Sequence, residues 1–155
     1  MSRYESLECL VSGQRIAVPV RDLERVVEVL LSPPPPLAEA WIAGLGLVDD
    51  RPVVCVTLAG PPPEPQGRCQ GLLLKASGSG QRYVVKVDEV RKVQEIEALG
   101  FEPAEVPGWP CPAGWLASRK AGDDGPSLLR LDTDKAAAAL FGDHRKSPLV
   151  NAATP

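Results

Sequence analysis

Histidine is nearly missing from this chain of 155 residues: His144 is the only one. Activation of a Ser or Cys nucleophile needs an imidazole beside it, and a single His close to the C-terminus leaves the central segments without one. Aromatic residues make up only 5% of the chain, so the core must be Val, Leu, Ala and Ile. That scarcity, with a net charge of -3, lacks the basic and aromatic surface that nucleic acid demands. No apolar run approaches the length that spans a bilayer, and the opening MSRYESLECL has no apolar signal-peptide region. The expectation is a cytoplasmic protein with no membrane insertion. Cys9, Cys55, Cys69 and Cys111 form no Cys-x-x-Cys pair and stand far from the histidine, so zinc-ligand spacing is absent. Cys9 and Cys55 fall in predicted strands and read as small buried hydrophobes, not disulfide partners. Gly78-Ser79-Gly80 lacks the Lys and the helix of a phosphate loop. The carboxylate pairs Asp49-Asp50 and Asp123-Asp124 fall at predicted turns, where Asp bonds its own backbone. No catalytic residue, metal site or cofactor is expected.

What the chain does have is a repeat. Residues 13–29, GQRIAVPVRDLERVVEV, return without a gap at residues 80–96 as GQRYVVKVDEVRKVQEI. Turn, charged and apolar positions all match, which favours duplication over chance and decides the architecture. In each copy a polar turn opens a strand with alternating apolar residues, Ile16, Val18 and Val20 or Tyr83, Val85 and Val87. Alternation predicts one face of a half-buried strand. The segments 21–24 and 88–91 break the alternation and read as single helical turns. A second strand follows at about 25–30 or 92–96. Two copies predict two similar small β-subdomains.

Further strands are expected at 7–11, 45–48, 52–58, 71–76, 115–119 and 128–131, with hairpin turns at 49–51, 77–80 and 122–125. Residues 33–36 are four prolines, a stiff connector between elements, and residues 37–42 allow one helical turn. The Pro-rich stretch 59–67 reads as a linker. It divides a domain over 7–141 into a first β-unit at 7–58 and a second at 68–131. Asp132 is placed to N-cap a helix over 132–141 that packs on the domain, and Gly142 ends it. The tail 142–155 has no periodicity and is expected to be disordered.

The segments IAVPVRDLERVVEVL, GLGLVDDRPVVCVTL, YVVKVDEVRKVQEI and LLRLDTDKAAAALF resemble, in order, the CheW family of chemotaxis adaptors. The resemblance runs from about residue 7 to residue 141. It implies two SH3-like five-stranded β-barrels with a C-terminal helix, and a non-catalytic scaffold in bacterial chemosensory signal transduction. Its implied partners are the helical hairpin tip of a methyl-accepting chemoreceptor and a CheA-type histidine kinase. The family's receptor groove lies between the barrels, and by position its lining falls on Val20, Leu23, Val26, Gly44, Leu45, Val48, Val87 and Val90. Core is the preferred reading for Val20, Val26 and Val87; contact is preferred for Leu23 and Val90, at the corner of each copy. One departure stands out. Where the family carries Arg-Gly at a protein contact, this chain has Asp49-Asp50. Charge reversal at an interface rim excludes a partner, so a weakened or lost kinase contact is expected.

Two other functions compete. An SH3-like peptide-binding module outside any receptor array needs an aromatic groove, for which only Trp41, Trp109, Trp115, Tyr4 and Tyr83 are on hand. A small hydrolase built on the Asp pairs needs a pocket of convergent titratable groups. The adaptor ranks above the peptide module, and the enzyme last.

Overall fold

The computed structural model describes residues 3–60, 68–120 and 127–142. Residues 61–67 of the linker, the turn holding Asp123 and Asp124, and the tail with His144 lie outside the described residues. The order of elements is β1 (Arg3–Val11), β2 (Gln14–Pro19), a 3-10 turn (Val20–Asp22), β3 (Leu23–Leu30), β4 (Ile42–Val48) and β5 (Arg51–Val56). The second half holds β6 (Arg68–Lys75), β7 (Arg82–Val87), β8 (Glu89–Glu97), β9 (Glu102–Pro103), β10 (Leu116–Lys120), β11 (Ser127–Leu131) and α1 (Thr133–Phe141). The expected mostly-β class with a C-terminal helix holds.

The strands form two sheets, ordered β3-β6-β7-β5-β4 and β8-β1-β2-β11-β10-β9. One sheet has the expected five strands; the other gains a sixth, the two-residue β9. The duplication is complete in topology. Exchanging β1 with β6, β2 with β7, β3 with β8, β4 with β10 and β5 with β11 turns one sheet order into the other. Even the irregularities match. Leu23 and Val26 of β3 face Leu74 and Leu72 across a bulge, and Val90 and Val93 of β8 face Cys9 and Leu7 across another. The parallel junctions also correspond: Val54 and Val56 face Tyr83 and Val85, while Leu129 faces Ile16.

The expected division into 7–58 and 68–131 is corrected by this pairing. The hairpin β1-β2 lies in one sheet with β8, β10 and β11, and the hairpin β6-β7 lies in the other with β3, β4 and β5. Each copy contributes strands to both barrels. Sequence alternation fixes which face of a strand is apolar, not which sheet it joins.

The exchange explains a second departure. β2 and β7 are buried on both faces, not one: Ile16 and Val18 pack in the central cluster between the sheets, with Tyr83 and Val85. Their neighbours Ala17 and Val84 fill separate clusters on the opposite faces. Local turns also differ from expectation. The first corner is a 3-10 turn, but in the second copy Asp88 is a bend and β8 starts at once. Residues 37–42 form no helix: Leu37 has φ +70, and Ala38 N–H donates to the Pro35 carbonyl in a β-turn. Asp49 and Asp50 both have positive φ, the two-residue turn that matches the twist of a hairpin.

α1 closes the fold. Asp132 caps it by accepting from the Lys135 N–H at 3.1 Å, and Ala136 and Ala137 bury its small face in the central cluster. Tyr83 O–H donates to the Thr133 carbonyl at 3.2 Å, and Thr133 Oγ1 donates to Asp22 at 2.7 Å. The helix is thereby tied to β7 and to the 3-10 turn.

Candidate functional site

Along β3 and β8 the central cluster ends in partly exposed apolar residues. On β3, Leu23 and Val26 share the face of Leu74 and Leu72, which belong to the cluster. On β8, Val90 and Val93 share the face of Cys9 and Leu7, also members. Val20, Leu23 and Val90 are half-buried and pack against the cluster. Val26 and Val93 lie outermost, 40% and 53% exposed. Each copy thus sets an equivalent shallow apolar strip along its edge strand.

The residues pointed to by the sequence do not all reach it. Val87 is core, buried in the central cluster, because β7 is the middle strand of its sheet. Val48 is core too, in the interior of the five-stranded barrel. Gly44 is buried, and a Cβ there would collide with the Ser32 carbonyl; its role is a close backbone approach. Leu45 is exposed, but on the outer wall of that barrel, with the exposed Leu30 and Leu47. Val20, Leu23, Val26 and Val90 are therefore the members at the margin. Val26, read as core, is instead exposed. Val93 was not among the residues pointed to, although the gapless repeat sets it opposite Val26 and so marks it.

Charges around the strip are mostly engaged within the chain. Asp22 is buried under its bond from Thr133, so it is structural and not a rim charge. Arg25 Nη2 reaches both oxygens of Asp49 at 2.8 Å. Arg82 reaches Asp49 at 3.4 Å and grips Glu24 at 2.9 and 2.7 Å. This network staples the β4-β5 turn to β3 and β7. The Arg25 hydrogen bond, aided by the charges of Arg25 and Arg82, holds the Asp49 carboxyl below its ordinary range. On β8, Arg91 pairs with Glu89 at 3.0 Å.

Three of the aromatic residues are spent on packing. Trp41 and Trp115 meet edge to face at 5.2 Å and pack into the central cluster. Each precedes an equivalent strand, β4 or β10. Their carbonyls accept equivalent bonds, from Thr57 N–H and Asp132 N–H. The matching triplets Trp41-Ile42-Ala43 and Trp115-Leu116-Ala117 carry this part of the duplication in the sequence, hidden by a longer connection in the second copy. Tyr83 is fully buried. Among the described residues, no three His, Cys, Asp or Glu side chains stand together to hold a metal ion, and no helix is long and apolar enough to cross a membrane.

No protein-family model matches the sequence, and no curated protein matches it. Among solved structures, the chain is similar to the scaffolding protein TtCheW from Thermoanaerobacter tengcongensis. The match has a TM-score of 0.61 at 14% identity and covers 85% of this chain and 86% of the other. At that identity the similarity rests on architecture: the two exchanged sheets and the terminal helix of this chain are a divergent form of the CheW fold.

Proposed function

We propose that the protein is a non-catalytic adaptor of a bacterial chemosensory system, and that the strip along β3 and β8 receives the helical hairpin tip of a methyl-accepting chemoreceptor. The observation that carries this reading is the equivalence of the two exposed valines. Val26 and Val93 come from corresponding places in the two copies and flank one apolar core. A hairpin of two antiparallel helices has matching local symmetry, so each helix meets the same chemistry. A helix binds by laying apolar anchors on such a surface. A reversible micromolar contact requires about 8 kcal/mol, within reach of a few anchors.

The test is a calorimetric titration of the protein with a two-helix peptide of a receptor tip. Val26→Arg and Val93→Arg should each weaken binding about tenfold or more, with the melting temperature nearly unchanged because both side chains are exposed. Leu23→Arg is the poorer probe, since Leu23 packs against the core and its loss would also destabilise the fold. Undiminished binding by both valine variants would sink the assignment.

The kinase contact of the resemblance is weakened or lost in this reading. Asp49 is held on the barrel by Arg25 and Arg82, so the β4-β5 turn offers carboxylates where the family offers a guanidinium. A titration against the regulatory domain of a CheA-type kinase decides the point: binding as tight as that of the receptor tip refutes the loss. The peptide-binding module is the weaker reading, since Trp41, Trp115 and Tyr83 are spent on packing.

A further inference from the structure

Both barrels are closed by backbone beyond the end of an edge strand. After β3, Ser32 N–H donates to the Leu45 carbonyl at 2.7 Å and Leu45 N–H returns to Ser32 at 3.1 Å. After β8, β9 pairs with β10, Glu102 facing Ser118 and Pro103 facing Ala117, and Ala104 N–H donates to the Leu116 carbonyl at 3.0 Å. Among the described residues, only in the second barrel do side chains also hold the connection, residues 97–101, that leads there. Arg119 Nη1, from β10, donates to the carbonyls of Glu97 and Leu99 at 2.9 and 3.2 Å. Arg130 Nη1, from β11, donates to the Ala98 carbonyl at 3.3 Å. Both guanidiniums lie over the Phe101 ring, 4.6 and 4.5 Å from its centre, the geometry of cation–π attraction.

The connection from β8 to β9 borders two hollows. A hollow of about 600 Å³ opens beside Arg130 and Ala98, and another of about 620 Å³ beside Arg119, Leu99 and Ile96. Gly100 has φ +92, and a Cβ there would sit 3.2 Å from Arg119 Cδ. The backbone at 100 is thus shaped to let the arginine pass.

We propose that Arg119, with Arg130 and Phe101, is a clasp that ties the β8–β9 connection to β10 and β11 and positions the C-terminal half of β8, and with it Val93 for the partner. Arg119 is a positioning residue that touches no partner. The second clause rests on the strip being the docking surface; the first stands on the fold alone. Arginine is suited to the task because its planar fork serves two carbonyls at once while its face stacks on an aromatic ring.

The experiment combines amide hydrogen exchange with the receptor-tip titration, on the full chain. Arg119→Ala and Phe101→Leu should each speed exchange about tenfold over residues 94–103 and leave β3, the equivalent strand of the other copy, unchanged. Both should weaken hairpin binding several-fold. Arg119→Lys keeps the charge without the fork and should fall between them and the parent, and it serves if the alanine variant does not fold. Unchanged exchange over residues 94–103 in both Arg119→Lys and Phe101→Leu overturns the clasp. Faster exchange with unchanged hairpin affinity overturns the positioning role. If the parent protein does not bind the hairpin, the docking assignment has failed, and exchange alone judges the clasp.

Discussion

The two barrels follow one plan and are filled differently. Inside the five-stranded barrel stand Val29, Val53, Cys55, Leu73 and Val84. The matched positions of the other barrel hold Ile96, Leu128, Arg130, Glu8 and Ala17. Where one copy places Leu73, the other places a carboxylate that is 4% exposed. Glu8 accepts from Arg15 and from Gln94, each at 3.1 Å. Burial pushes its pKa up, but the bond and charge of Arg15, with Lys92 and Gln94, outweigh that and hold it below its ordinary value. One duplicated frame thus supports a wholly apolar interior and one in which a carboxylate and a guanidinium stand among apolar residues. Sheet topology specifies the frame; the inward-facing set is free to diverge provided buried polar groups find partners.

Breaking the apolar barrel should cost most. Leu73→Ala leaves a void in a fully buried site and is expected to destabilise by about 2–5 kcal/mol in a denaturant titration; a loss under 1 kcal/mol would mean that this interior is loosely packed. At the matched place in the polar barrel, Glu8→Gln removes the charge partner of a partly exposed Arg15 and should cost less, about 1–3 kcal/mol. The same variant sharpens the comparison through pH. Because the folded pKa of Glu8 is lowered, the unfolded chain takes up the proton first. Its contribution is complete above the ordinary value of 4.5 and is lost as pH falls below it. Melting temperatures from pH 6 to about 3 should fall less steeply in Glu8→Gln than in the parent; parallel curves would remove Glu8 from the acid response. The smallest effect concerns thiols. Burial pushes Cys9 and Cys55 up to about 12, whereas Cys69 and Cys111 are only half-buried. A thiol reagent at pH 8 should therefore label Cys69 and Cys111 first, and early labelling of Cys55 would show that the apolar barrel opens readily.

Much of the frame was legible in the residues. The gapless match of 13–29 with 80–96 announced the duplication, and the alternation of Leu7, Cys9 and Val11 with Ser6 and Glu8 marks β1 as having one apolar and one polar face. The successive Leu72, Leu73 and Leu74 mark β6 as buried on both. The site was read less well. Val87 is core because β7 is covered on both sides, and Val48 because it points into the five-stranded barrel; both are facts about neighbours and not about the residues. Val93 escaped notice because nothing local separates it from Val90; its exposure follows from the bulge facing Leu7 and Cys9.

By itself the sequence determined where the strands and turns lie, that they come in two copies, and that α1 is capped by Asp132, because alternation, turn chemistry and capping act over a few neighbouring residues. Tertiary structure alone decided that the copies exchange strands, that Arg119 and Arg130 hold the connection after β8, and which valines reach solvent. Those outcomes depend on pairing between residues far apart in the chain, where one apolar strand satisfies either sheet equally until the whole core is assembled.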